Sequence, residues 1–415
     1  MRSSAQPEIW RWSSSGKMAH RDSGRWWAVG VFTLYSALNY LDRQTLAALA
    51  PQLRTEFSLS NEDYGWLASA FYVAYALCSP AVGLFIDRVG LSRGAMVTLG
   101  VWSVAGIATG LTQGFAGLLI CRVILGMAEA GGIPAYSKAT ATYLKPRERS
   151  FGAGLNQIGL SLGTMGAPLL AAFIGGIWGW RMAFVFAGAL GLLWLPLWKL
   201  TASRVPPPPL SPAVRAGVTP SQMTRDRALW GLVIANMLVM MCYGLWIQWT
   251  TLFLVDRYGL SQTYVNQHLA WIPPIFATIG GLTGGWVVLR WSAAGRAVGE
   301  ARMKVMLISA VCVIATAAVP RMPTAELATA VISFSFFFTV AMSANLYAIP
   351  QDLFGAERAA FALSAITSGF GAMQTVFQPF TGWLVDRYGF EPVCWIAALT
   401  PLAGWFVLRV TERAE

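Results

Sequence analysis

Four ionisable residues interrupt stretches that are otherwise apolar: Asp42 and Arg43 in the run 26–50, Arg122 and Glu129 in the run 115–142. An ionised group at bilayer depth costs at least about 2.5–3.5 kcal/mol on insertion scales, so such groups pair, line a cavity, or do both. At about 1.5 Å per helical residue, Asp42 lies roughly 24 Å, Arg122 roughly 30 Å and Glu129 roughly 20 Å from the span ends expected to face the cytoplasm. All four then fall in one layer at or just outside the midplane. Arg122 and Glu129, seven residues apart, share a helix face about two turns from each other.

Two cations against two anions make a neutral layer. Protonating one carboxylate leaves it one positive charge in excess, and an incoming organic anion restores the balance, so proton and anion loading assist each other. Low-dielectric surroundings favour a neutral acid, which brings proton uptake within reach of neutral pH. Arg43 suits a carboxylate because its planar fork binds bidentately. Arg122 either orders the carboxylates of this network or forms a fixed ion pair with Asp42 that braces the two helices. Around the layer, Tyr40, Tyr72, Tyr75, Gln157, Tyr243, Trp246 and Gln248, with Asn345, Gln351 and Ser368 further on, form a convergent set able to hold hydroxyls. Each taken alone reads first as a packing or interhelical hydrogen-bonding residue. Lys138, near the inner end of its run, has the length to snorkel to the interface.

The elements that position these residues follow from composition. Of 415 residues, 56% are apolar and 12% charged, about half the ~25% charge of soluble domains. The mean hydropathy is +0.53. The apolar content suffices for roughly a dozen spans of ~20 residues, which excludes a soluble enzyme and a single-span receptor with a large extramembrane domain. Twelve spans are expected, at about 26–50, 64–85, 95–112, 115–142, 150–175, 180–200, 228–254, 265–290, 302–320, 323–348, 358–385 and 391–410. Small residues at helical spacing, Gly159, Gly163 and Gly166, then Gly281 and Gly285, allow close helix packing. The longest polar break, 201–227, contains Pro206–Pro209, a stiff spacer that cannot enter the bilayer. The expected fold is an all-α membrane protein with a tail 1–25, a six-helix bundle 26–200, a Pro-rich linker 201–227, a second bundle 228–410 and a tail 411–415.

Of the 30 basic residues, 22 fall on the segments cytoplasmic if the N-terminus is inside, five on the opposite loops and three within spans. This bias puts both termini in the cytoplasm. The formal charge of +11 is thus a topology signal with some attraction to anionic membrane lipids, and it argues against nucleic acid as a partner. The first 25 residues read as a polar tail without a cleavable signal, and Met18 is an alternative start. The five cysteines lie in or at the ends of apolar runs without CxxC or Cys/His spacing and read as packing residues. No GxxxxGK[ST], HExxH, GxSxG or metal-ligand cluster occurs, and His20 and His268 read as incidental. Neither an enzyme nor a bound cofactor is expected; the driving force would be a proton gradient.

Residues 83–94, Gly-Leu-Phe-Ile-Asp-Arg-Val-Gly-Leu-Ser-Arg-Gly, resemble the loop signature G-x-x-x-D-R-x-G-x-x-[RK] of the major facilitator superfamily. The resemblance implies a conformational latch for the outward-open state built from Gly83, Asp87, Arg88, Gly90 and Arg93. The matching loop of the second half, Gly-Gly-Trp-Val-Val-Leu-Arg at 284–290, lacks the aspartate. Asp-Arg-Tyr-Gly recurs at 256–259 and 386–389, where it reads as a generic helix exit.

Asn39-Tyr-Leu-Asp-Arg43, Tyr64-Gly-Trp, Arg122-Val-Ile-Leu-Gly-Met-Ala-Glu129, Gly179-Trp-Arg-Met-Ala-Phe184 and Ala344-Asn-Leu-Tyr-Ala look like the anion:cation symporters of that superfamily. These include bacterial hexuronate and galactonate transporters, related to sialin and the vesicular glutamate transporters. The resemblance implies two bundles that rock about a midplane site. The implied activity is proton-coupled uptake of a hexuronate or aldonate across the bacterial inner membrane by a monomer. Asp42 and Glu129 would be the protonatable pair, and Arg43, Tyr75 and Gln157 would touch substrate. The chain departs from the aldonate transporters at Ser368, where they carry asparagine, and at Trp249-Thr-Thr251, where the family has W-x-P. An exporter of amphipathic drugs is the rival transporter reading. A nutrient sensor is the rival from another class, and it would need an output domain larger than a 27-residue linker.

Overall fold

The computed structural model describes residues 15–145, 148–205 and 225–412. The outermost tail residues, Met18 aside, and the Pro206–Pro209 spacer lie outside them. The described residues are helical almost throughout, as α1 (Ser15–Phe57), α2 (Asn61–Val89), α3 (Leu91–Gly110), α4 (Phe115–Glu129), α5 (Gly132–Tyr143), α6 (Arg149–Leu170) and α7 (Trp180–Arg204). After the linker come α8 (Arg227–Tyr258), α9 (Gln262–His268), α10 (Ile272–Ala293), α11 (Val298–Val313), α12 (Ala325–Tyr388) and α13 (Phe390–Glu412). Each of the twelve expected segments lies in helix, and ten stretches are long and apolar enough to cross a membrane. The first and eleventh segments are not among those ten.

The fourth, eighth, tenth and eleventh segments depart from the expected single helices. The fourth breaks at Ala130 and Gly131, so Glu129 closes α4 and α5 restarts at Gly132. The eighth is split by a turn ahead of Pro273 and Pro274, which begin α10 because proline needs no donor partner in a first turn. The tenth and eleventh run together as one 64-residue stretch of helical backbone, α12. A straight helix of that length would measure about 96 Å, three times a bilayer core. Phe336, Val340, Ser343 and Tyr347 nevertheless line the same cavity as Thr367, Phe370 and Gly371. The chain therefore reverses between Tyr347 and Thr367, and α12 comprises two limbs.

One apolar core is drawn from 28–198, among α1 to α7. Another is drawn from 232–408, among α8, α11, α12 and α13. A third cluster combines Leu46, Leu49 and Tyr64 with Trp246, Trp249, Phe253 and Phe377, and joins the two groups of helices. Hereafter α1–α7 are the N-terminal half and α8–α13 the C-terminal half. Lipid is as apolar as leucine, so close backbone packing does much of the work between the helices. A side chain at Gly163 would overlap the Ala37 carbonyl oxygen, and one at Gly159 would stand 2.5 Å from that of Thr33. In α10 the close approach falls to Gly280 and Gly284, against Phe337 and Ala341, while Gly285 faces open space. That is one residue out of phase with the expected pair.

Candidate functional site

Arg43 extends from α1 toward α4, where its Nε donates to Glu129 Oε2 at 3.0 Å and its Nη2 lies 3.0 Å from the same oxygen. Nη2 also donates to Asn39 Oδ1, one turn back on α1, at 3.3 Å. The guanidinium is caged by the rings of Tyr40 at 4.6 Å, Phe71 at 4.7 Å and Tyr75 at 5.1 Å, close enough for cation–π attraction. Glu129 is fully buried, and its Oε1 has no hydrogen-bond partner. One carboxylate oxygen is thus committed to Arg43 and the other is held in reserve.

Asp42 and Arg122 complete the layer, though not as a pair. The helical turn of about 100° per residue points Asp42 away from Arg43 and into the contact of α1 with α3 and α7. There its Oδ1 lies 3.5 Å from the place a side chain would start at Gly106. Arg122 lies over the Phe184 ring of α7, 5.9 Å from its centre. Among the described residues no ion pair within 4 Å links Arg122 to Asp42, so the brace between those two is absent. Asp42 lies in the fields of Glu129 and Arg122, and Glu129 in those of both arginines. Asp42 Oδ2 and Arg122 Nε are buried without hydrogen-bond partners.

A cavity of about 230 Å³ opens beside the ion pair, between α1, α2 and α6 on one wall and α8, α10 and α12 on the other. Arg43 is the one charged side chain among the described residues that line it. Tyr40, Tyr72, Tyr75, Gln157 and Tyr243, all expected, line it.

Four expected residues do not reach it. Trp246 is buried in a smaller adjoining chamber of about 30 Å³ together with Gln248. Asn345 is buried and donates from Nδ2 to the Ala341 carbonyl at 2.9 Å. Ser368 is exposed on the far face of its limb. The cause is helical phase. Met240, Tyr243 and Ile247 face inward, as do Val340, Ser343 and Tyr347, and Thr367, Phe370 and Gly371. The expected residues stand one or two positions off those stripes. Sequence reasoning also missed Ser161, Thr164, Thr278, Ser343, Tyr347 and Thr367. Their spacing of three or four residues along a helix was the available signal. Ser161 and Thr278 meet across the cavity, 2.7 Å apart. Gln248 Nε2 donates to the Tyr72 hydroxyl at 3.2 Å. The side chain of Gln351 lies outside the described residues.

Gly83, Asp87, Arg88, Gly90 and Arg93 sit at the end of the molecule where α2 passes to α3. Gly90, at φ +87°, makes that corner. Asp87 takes an ion pair at 2.8 Å from Lys138 of its own half. Lys138 also donates to the Ile86 carbonyl, so it is tied to the corner of α2 rather than reaching freely for the interface. Arg88 and Arg93 are exposed.

The sequence profile of the Major Facilitator Superfamily matches residues 32–374. The hexuronate transporter of Escherichia coli strain K12 is 28% identical over 94% of this chain and 95% of its own. A galacturonate transporter of Dickeya chrysanthemi is 30% identical over 63% of this chain and 81% of its own. The D-galactonate transporter of Escherichia coli O6:H1 is 25% identical over 63% and 66%. Among solved structures, a bacterial homologue of the human lysosomal transporter Spinster, in an inward-facing and unoccupied conformation, superposes with a TM-score of 0.78 at 20% identity. That match covers 94% of this chain and 96% of the other. A multi-pass helical chain with a central cavity and this profile over most of its length belongs to the Major Facilitator Superfamily, whose members are transporters and not enzymes.

Proposed function

We propose that the protein is a proton-coupled symporter of a small organic monoanion, a hexuronate or an aldonate. The carrying observation is that one guanidinium has two claimants. Arg43 faces the cavity and at the same time holds Glu129, and no second cation lines the cavity among the described residues. A proton on Glu129 weakens its hold on Arg43 and leaves the guanidinium free to take a substrate carboxylate. Loss of that proton restores the internal pair and displaces the anion. Asp42, buried behind Arg43, is the second proton carrier, and Arg122 keeps the layer neutral when both acids are ionised.

The hydroxyls of Tyr75, Tyr243, Ser343, Tyr347 and Thr367, with the Gln157 amide, suit a polyhydroxylated tail. The names of the relatives, hexuronate, galacturonate and D-galactonate transporters, support the same class. The twelve helical segments act as two six-helix bundles, 26–200 and 228–410, that rock about the cavity. The protein would work as a monomer in the bacterial inner membrane with both termini cytoplasmic, in contact with anionic lipid, and with a proton gradient as its only driving force.

The test is accumulation of glucuronate or galactonate in proteoliposomes under an imposed proton gradient. Concentrative uptake that a protonophore abolishes is expected. Accumulation that persists in its presence would reject the coupling.

A further inference from the structure

The Asp-Arg-Tyr-Gly stretches that the transport cycle leaves unused sit at the end of the molecule where α1 passes to α2. The one at 386–389 belongs to a longer match: Gly382-Trp-Leu-Val-Asp386-Arg-Tyr-Gly389 repeats the pattern of Gly83-Leu-Phe-Ile-Asp87-Arg-Val-Gly90. The local structures agree as well. Gly90 and Gly389, at φ +87° and +71°, end their helices with N–H bonds to Ile86 and Val385, four residues back. Their engagement differs. Gly83 has open space where a side chain would stand, whereas one at Gly382 would overlap the Asn61 carbonyl of α2. Asp87 pairs within its own half. Asp386 reaches the other half and caps α2: its Oδ1 accepts from the Asn61 backbone N at 3.1 Å and from Asn61 Nδ2 at 2.7 Å, and its Oδ2 accepts from Glu62 N at 2.9 Å.

We propose that Gly382–Gly389 is a second latch, which holds this end of the two halves shut and balances the latch at 83–93. The proposal rests on the rocking motion described above. A carboxylate set on the first-turn amides of a helix is favoured by their unmet donors and by the helix dipole. Here cap and helix belong to opposite halves, so the bond exists only while this end is closed. Asp256, of the other Asp-Arg-Tyr-Gly, works beside it through Arg54 of α1 at 2.6 Å. Gln52 with Gln262, and Asn266 Nδ2 on the Ala48 carbonyl at 2.8 Å, extend the seal. Gly65, whose side chain would stand 2.5 Å from the Gln378 carbonyl oxygen, gives the same close crossing of α2 and α12. At the opposite end the ion pairs between described residues, Asp87 with Lys138, Arg25 with Glu148, Arg302 with Asp352 and Lys304 with Glu300, each stay within one half.

Hydrogen–deuterium exchange of the full chain in lipid nanodiscs reads both ends at once. Asp386→Ala is expected to speed exchange on the order of tenfold in peptides spanning 48–66 and 262–268 and to slow it at 83–93, because charged hydrogen bonds that exist only in the closed form are lost. Gly382→Ala, which adds a methyl against the Asn61 carbonyl only when closed, should give the same pattern with every charge in place. Asp386→Asn guards against misfolding and should give a smaller shift in the same direction. Faster exchange confined to 59–66, with 262–268 and 83–93 unchanged, would show a local cap and overturn the latch.

Wild-type protein with and without glucuronate separates the two ideas. Reciprocal changes at the two ends in the wild type but in none of the variants reject the latch alone. No reciprocal change in any sample rejects the rocking as well.

Discussion

The two walls of the central cavity differ in kind. The N-terminal half supplies the charge, Arg43 with Glu129 behind it, inside an aromatic cage of Tyr40, Phe71 and Tyr75. The C-terminal half supplies Tyr243, Ser343, Tyr347 and Thr367 among apolar surfaces such as Phe336, Val340 and Phe370, and no charge among its described lining residues. Under the proposed symport, one wall binds the anion and responds to the proton, and the other sorts anions by shape and hydroxyl pattern. Coupling and selectivity are therefore separable, and substitutions on the two walls should fail differently.

The largest effect belongs to Arg43. Arg43→Ala strands a buried Glu129 and removes the cavity's cation. Deleting one partner of a buried, hydrogen-bonded charge pair between protein and ligand costs about 2–5 kcal/mol, so glucuronate affinity measured by calorimetry should fall about 30-fold or more. Arg43→Lys keeps the charge but loses the fork and the ring stacking, and should land between the two. Unchanged affinity in Arg43→Ala would end the assignment of the anion site to this wall.

Glu129→Gln comes next, and it changes the kind of transport more than the affinity. The amide cannot carry the proton, so gradient-driven accumulation in proteoliposomes should disappear while exchange of labelled for unlabelled substrate continues. Loss of both activities together would show that Glu129 only holds Arg43 in place.

The charged wall was legible in the sequence and the sorting wall was not, for a physical reason. A charge inside an apolar run is expensive wherever it points, so Asp42, Arg43, Arg122 and Glu129 declared themselves without knowledge of helix rotation. A serine or threonine costs little on any face, and only the phase of its helix decides whether it meets the cavity. Ser368 for Thr367, Asn345 for Ser343 and Gly281 for Gly280 are errors of that one kind. The absent Arg122–Asp42 pair has the same origin, because spacing along each run does not say which faces the two helices turn toward each other. The reversal inside α12 was legible as well, because one apolar run ends at about 348 and the next begins at about 358; what differs is that the backbone stays helical through Pro350 between them.

Phase errors make sharp tests of the sorting wall. Thr367→Val deletes one hydroxyl at nearly constant volume. The loss of a typical hydrogen bond, about 0.5–1.5 kcal/mol, should weaken galactonate about 3- to 10-fold. Ser368→Ala, one residue on and facing outward, should stay within about twofold. Equal effects from the two would mean that the eleventh segment is rotated relative to the arrangement described here.

The smallest effect concerns the place where the two walls touch. Ser161 of α6 and Thr278 of α10 share a hydrogen bond of 2.7 Å across the cavity. A bond at the seam of the two walls enters the affinity only as far as it forms or tightens when the anion is bound. Ser161→Ala and Thr278→Val should each change glucuronate affinity by no more than about fivefold, and the double variant should cost less than the sum of the two. A coupling of about 0.5–1.5 kcal/mol is the size of one such bond. Affinity measured for all four proteins closes the cycle. A coupling near zero would mean that the two hydroxyls act independently on the bound anion, which would move Ser161 and Thr278 from the seam between the walls to the substrate itself.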